Sequence, residues 1–128
     1  ELNSNETFDG VSLKDELIGK GHIDREVFIS YTLESPMQSY MVRDKKWKYI
    51  YCEANGVEEL YDMINDRREE NNIYDQHPVL IQKMKEIIIK WATENKENKI
   101  LSNGKLIKTE VDLKDTRFNA SSMGWRWY

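Results

Sequence analysis

The chain has 128 residues, enough for one domain with a single modest core. Its net charge of −4, with both signs interspersed, provides no broad basic field for a nucleic acid, and no apolar run approaches the roughly 20 residues a bilayer span needs. The one cysteine, Cys52, excludes an internal disulfide.

In chain order, residues 1 to 7 are polar, and Ser12 to Leu17 form a short helical turn with Ser12 as its cap. Gly19-Lys20-Gly21 breaks that turn. From Glu26 to Leu33, Val27, Ile29, Tyr31 and Leu33 alternate with their neighbours and share one face of a strand. Pro36 makes Glu34-Ser35-Pro36-Met37 a loop. Residues 39 to 52 read as a hairpin around Asp44-Lys45-Lys46, with Trp47, Tyr49 and Tyr51 on one face of its second strand. Asn55-Gly56 is a turn signal before another strand around Glu58 to Met63, and Asn65 to Asp75 is a charged loop.

His77-Pro78 opens the clearest helix, predicted over 78–95. Ile81, Met84, Ile88 and Trp91 recur at helical spacing, and Leu80, Ile87 and Ala92 widen the stripe. That stripe should cover the apolar face of the sheet. The fold class expected is α+β: a four-stranded antiparallel sheet packed by one long C-terminal helix, followed by an aromatic-rich tail. Asn103-Gly104 is a second turn signal ahead of a short strand over Lys105 to Val111. The tail, Met123-Gly124-Trp125-Arg126-Trp127-Tyr128, carries more apolar area than a solvated end would, at ~25 cal/mol per Å². Folding back on the sheet is the favoured reading of it, and docking on another domain or capping a sugar ring are the alternatives. Asn5-Glu6-Thr7 and Asn119-Ala120-Ser121 fit the glycosylation pattern, a weak signal.

A family signature lies on these same elements. Met41-Val42-Arg43, Lys48-Tyr49-Ile50 and Glu59-Leu60-Tyr61-Asp62, followed by Asp66, Glu69, Asn72 and Ile73, resemble the end of a type I sulfatase. Arg67 stands where that family usually has proline, and Ile73 where it has leucine. Phe8-Asp9-Gly10-Val11-Ser12-Leu13 is similar to the segment joining the large catalytic domain to the small C-terminal one, and Val27-Phe28-Ile29-Ser30-Tyr31 to the small domain's first strand. The resemblance covers roughly residues 8 to 95. It implies a junction over 1–25, the subdomain over 26–98 and a C-terminal extension over 99–128, with the whole chain excised from a longer protein.

The resemblance also implies chemistry that this piece lacks. Such sulfatases cleave sulfate esters with a formylglycine made from Cys or Ser in a C-x-P-x-R-type motif, beside a calcium held by the large domain. Cys52 is followed by Glu53-Ala54-Asn55-Gly56 and reads as a half-buried strand residue. His22 and His77 have no second His or Cys at ligand spacing, and Glu58-Glu59 point to opposite faces of a strand. No catalytic or metal-binding residue is therefore assigned, and the isolated piece is expected to be inactive. Arg43 and Lys48 are expected to pair with Asp62 or Asp66 and pin the sheet, and Asp62 to accept from local backbone.

The partners implied are the catalytic domain of the same chain and a sulfated sugar or other sulfate ester. Under the resemblance, the loop from Glu34 to Tyr40 lies nearest the substrate cleft. Glu34 and Gln38 offer it hydrogen-bonding groups, and Met37 and Tyr40 apolar surface. A phosphonate or phosphate ester hydrolase of the same layout, and a free-standing carbohydrate-binding module, are the competing readings.

Overall fold

The computed structural model describes residues 12–21, 25–32, 38–95 and 98–112. Outside them lie Phe8 to Val11 of the junction, both glycosylation triplets, His22, the Glu34 and Met37 loop positions and the aromatic tail.

Four strands form an antiparallel meander: β1 (Phe28–Thr32), β2 (Ser39–Arg43), β3 (Trp47–Cys52) and β4 (Val57–Asp62). The expected sheet is present, with a shorter first strand and the last one shifted by one residue. Turn chemistry explains the connections. Asp44 Oδ1 accepts the backbone N–H groups of Lys46 and Trp47, closing the β2–β3 hairpin. Asn55 and Gly56 both take positive φ, 58° and 59°, which is what a two-residue type I′ hairpin turn requires. Asn103 and Gly104 repeat the device, at 51° and 73°, between the two-residue strands β5 (Leu101–Ser102) and β6 (Lys105–Leu106). The strand expected over Lys105 to Val111 is thus shorter, and Thr109 makes an isolated parallel bridge to Ala54.

Register sorts the side chains. Ile29 faces Val42, Val42 faces Tyr49, and Tyr49 faces Leu60, while Tyr31, Tyr40, Tyr51 and Glu58 form the neighbouring row. These residues share one face with Trp47, and the long helix lies across it. That helix, Pro78–Glu94, buries Ile81, Met84, Ile88 and Ala92. Before it come a short helix α1 (Lys14–Leu17) and a 3-10 turn over Tyr74–Gln76, so the long helix is α2. The Ser12 hydroxyl accepts Lys14 N–H at the start of α1. The His77 ring packs on Trp47, 5.1 Å between centroids, anchoring the start of α2 to the sheet.

Trp91 is half-buried rather than enclosed. It tilts against Tyr31 and Tyr40, with centroids 5.1 and 6.4 Å away, at the β1 edge. Strand β1 explains this: only Ile29 of its five residues is even half-buried, so the helix stripe meets a thin wall there. Residues 98–112 stay attached to the sheet and helix. Ile100 is 1% exposed within the core, Tyr51 donates to the Ile107 carbonyl, and Thr109 exchanges backbone bonds with Glu53 and Asn55.

Candidate functional site

The motif residues converge where β3, β4 and the 63–73 loop meet. Lys48 Nζ sits 2.6 Å from Glu69 Oε2, with both side chains mostly out of water. Lys48 does pin the sheet, but its partner is Glu69 rather than Asp62 or Asp66. Glu69 reaches it from a positive φ of 59°, so this loop residue is held, while Glu70 beside it is exposed. Arg43 is exposed at the end of β2.

Asp62 behaves as expected. Its carboxylate accepts the backbone N–H groups of Ile64 and Asn65 and the Asn65 side-chain amide. Partial desolvation opposes its charge, but those bonds and Lys46 outweigh it and hold the carboxyl below its ordinary range. Asp66 is likewise held low, first by the backbone N–H of Glu70 and then by that of Asn71. Both aspartates are spent on turns.

Asn72 closes the outer edge of β4. Its Oδ1 accepts Leu60 N–H and Tyr74 N–H, each at 3.0 Å, its amide donates to the Glu58 carbonyl, and Ile73 N–H continues to Leu60 O. Here a side chain stands in for a neighbouring strand. Asn72→Ala is expected to cost about 2 kcal/mol, because Leu60 N–H is left without an acceptor beside a fully buried side chain. Chemical unfolding of wild type and variant measures it.

The charged centre that sequence reasoning missed lies between sheet and helix. Glu58 Oε1 is 2.7 Å from Lys85 Nζ of α2, and its Oε2 accepts the Tyr49 hydroxyl, also at 2.7 Å. Glu59, its neighbour, accepts from Tyr61 on the other face. Periodicity did indicate that the two glutamates diverge. It could not indicate that one of them turns inward to meet a lysine from a helix 27 positions later.

Burial pushes the Tyr49 phenol up, and its bond to Glu58 pushes it further. Burial and the Glu59 bond push Tyr61 up to about 12. A phenol whose folded pKa is raised binds its proton more tightly in the fold than in the unfolded chain. Its stabilisation is therefore complete below the ordinary value near 10 and is lost as pH climbs toward 12. Tyrosinate absorbance should rise in two stages, exposed tyrosines first, with the late stage coinciding with loss of the near-ultraviolet circular dichroism signal. One common titration near pH 10 in the folded state would refute this.

Of the residues expected near a substrate, Glu34 and Met37 lie outside the described residues. Tyr40 has no exposed surface and Gln38 only 8%. Tyr40 stacks on Tyr31 and donates to Gln38 Oε1. Both are buried within this unit. Cys52, at odds with formylglycine chemistry by its sequence neighbours, is a half-exposed thiol on the sheet face away from α2. Among the described residues, no three His, Cys, Asp or Glu side chains gather in one place. None of the helices among the described residues is long and apolar enough to cross a membrane.

A four-stranded meander under one helix, with the signature blocks on β2, β3 and β4 and the loop that follows, is similar in layout to the small subdomain of type I sulfatases, as the motif order implied. No protein-family model matches the sequence, nor does any curated protein. Solved structures do. One is BT4656, in complex with its substrate D-glucosamine-2-N,6-O-disulfate, at TM-score 0.60 and 25% identity over 77% of this chain. A protein of Bacteroides thetaiotaomicron VPI-5482 assigned as a sulfatase matches at TM-score 0.64 and 24% identity, and BT1596, a 2-O GAG sulfatase, at 0.61 and 24%, each over 73% of this chain. The matches span only 22% of each of those proteins.

Proposed function

We propose that this chain is the C-terminal subdomain of a sulfatase that hydrolyses sulfate esters of a sulfated sugar. The observation that carries the reading is the coincidence of two independent likenesses. The residues that resemble the sulfatase end, from Met41 to Ile73, form strands β2 to β4 and the following loop of a unit whose fold matches sulfatases of known structure. Those relatives include enzymes whose substrates are a sulfated glucosamine and a glycosaminoglycan, which supports the substrate class.

The formylglycine and calcium of such an enzyme belong to the large domain, which would supply the nucleophile and the charge on the sulfate oxygens. This unit contributes a rigid wall. Unpartnered apolar surface supports a covering domain: Leu13, Leu17 and Ile18 around α1 are 58%, 81% and 53% exposed. Phe28 and Val57 also lie open on the sheet face that α2 leaves bare. Patches of this kind mark an interface.

The full-length protein is the test. It is expected to release sulfate from N- and O-sulfated glucosamine and to lose turnover when the nucleophile of its large domain is replaced by alanine. Hydrolysis of a phosphonate monoester without sulfate release would transfer the chain to the phosphonate hydrolases of the same layout. Turnover of neither would overturn the reading.

A further inference from the structure

Two adjoining hollows, of about 290 and 370 Å³, run along one flank of α2 and share Gln82 and Lys85. The first ends at the Tyr74 ring and Pro78. The second opens between the helix, the Asn55-Gly56 turn and the strand leaving the β5–β6 hairpin, and Lys85, Lys105 and Lys108 line it.

We propose that this groove binds an acidic saccharide, with its sulfate or carboxylate groups on the three lysines and a ring toward Tyr74. The lysines come from elements that only the fold brings together. Lys108 is positioned by packing: its Cγ and Cδ lie within 3.2 Å of where a Cβ would stand on Gly56. Its ammonium pairs with Glu110 at 2.7 Å, but both groups are more than half exposed, so an anionic ligand can displace that contact at little cost. Lys105 is exposed on the groove's outer wall. Two acids line the groove: Asp75 at the Tyr74 end, and Glu58, which is engaged by Lys85 and Tyr49, so that Lys85 offers a ligand only its remaining N–H donors while Lys105 and Lys108 carry most of the attraction.

The occupant follows from the mixture. Ile89 and Leu106 beside the lysines, and the Gln82 amide between the hollows, give the alternation of apolar, amide and cationic contacts that sugar rings with anionic substituents use. A nucleic acid would need a broad basic field, which a chain of net charge −4 lacks. The groove would hold a second part of a long ligand rather than the ester being cleaved. The proposal rests on the sulfatase reading for the identity of the ligand, so it is tested by binding rather than by turnover.

Calorimetric titration of the full-length protein with a size-defined, highly sulfated glucosamine-containing oligosaccharide is the measurement, with a sulfated monosaccharide and inorganic sulfate as further probes. Lys105→Glu with Lys108→Glu is expected to weaken the oligosaccharide about tenfold at low salt, leaving monosaccharide affinity and melting temperature unchanged. Arg67→Glu with Arg68→Glu makes the same charge change on the exposed 63–73 loop and should leave oligosaccharide affinity unaltered. Equal weakening by both pairs would mean diffuse charge attraction and overturn the proposal, as would unchanged binding in the lysine variant. Loss of sulfate release with oligosaccharide binding intact would instead count against the enzyme assignment alone.

Discussion

Ile88→Ala is expected to destabilise the subdomain by about 2–5 kcal/mol, the largest effect of any single truncation on α2. Ile88 has no exposed surface and lies in the cluster of Tyr40, Val42, Tyr49, Leu60 and Met84. Tyrosine rings joined by antiparallel ladders cannot collapse into the space a deleted side chain leaves, so the cavity term adds fully to the transfer term. Trp91→Ala should cost less than its size suggests. Its indole leans on Tyr31 at an edge where water already reaches, and the rings can close up. Denaturant unfolding of both variants decides the order, and a larger loss for Trp91 would mean that the β1 edge carries more of the packing than the burial pattern allows.

The second large effect concerns charge. Lys85→Met is expected to cost about 2–4 kcal/mol, because it leaves the Glu58 carboxylate, whose side chain is 11% exposed, facing the apolar underside of the helix with only the Tyr49 hydroxyl. The lysine stem is 27% exposed, so water can reach the orphaned acid and the cost stays at the lower end of what a buried pair shows. Glu58→Gln in the Lys85→Met background should recover most of the loss, since a neutral amide still accepts from Tyr49. A double-mutant cycle with a coupling near zero would show that the ion pair contributes only packing.

Much of the fold was legible because it is written locally. The Asn55-Gly56 and Asn103-Gly104 pairs specify their own turns through the positive φ that few other residues accept. Alternation in Trp47-Lys48-Tyr49-Ile50-Tyr51 specifies a strand face, and His77-Pro78 with the stripe from Ile81 to Ala92 specifies the helix and its buried side. The helix ends one residue short of its predicted stop. Family blocks were legible for the same reason, being short runs at fixed spacing.

The loop around Asp66 was legible as charged, but not which of its charges would be held. Glu69 is captured by Lys48, and Asn72 acts as the missing strand beside β4. Under the resemblance Tyr40 belongs to the loop nearest the cleft. Its register opposite Tyr31 and Tyr51, which no local pattern gives, buries it in the sheet under the helix.

The sequence alone determined the four strands of the main sheet and its long helix, the apolar face of the central strands, and the absence from this chain of a C-x-P-x-R-type nucleophile motif. These follow from periods of two and of about 3.6 residues, from turn residues and from motif spacing, all of which act within a few positions. Tertiary structure alone decided which charges meet: Lys48 with Glu69, Lys85 with Glu58, and the gathering of Lys85, Lys105 and Lys108 along one groove. Such pairings depend on the register of β3 against β4 and on the angle at which α2 crosses them. Those quantities are fixed by how Tyr49, Leu60, Met84 and Ile88 interlock, and the packing of a whole layer sets them rather than any short run of residues.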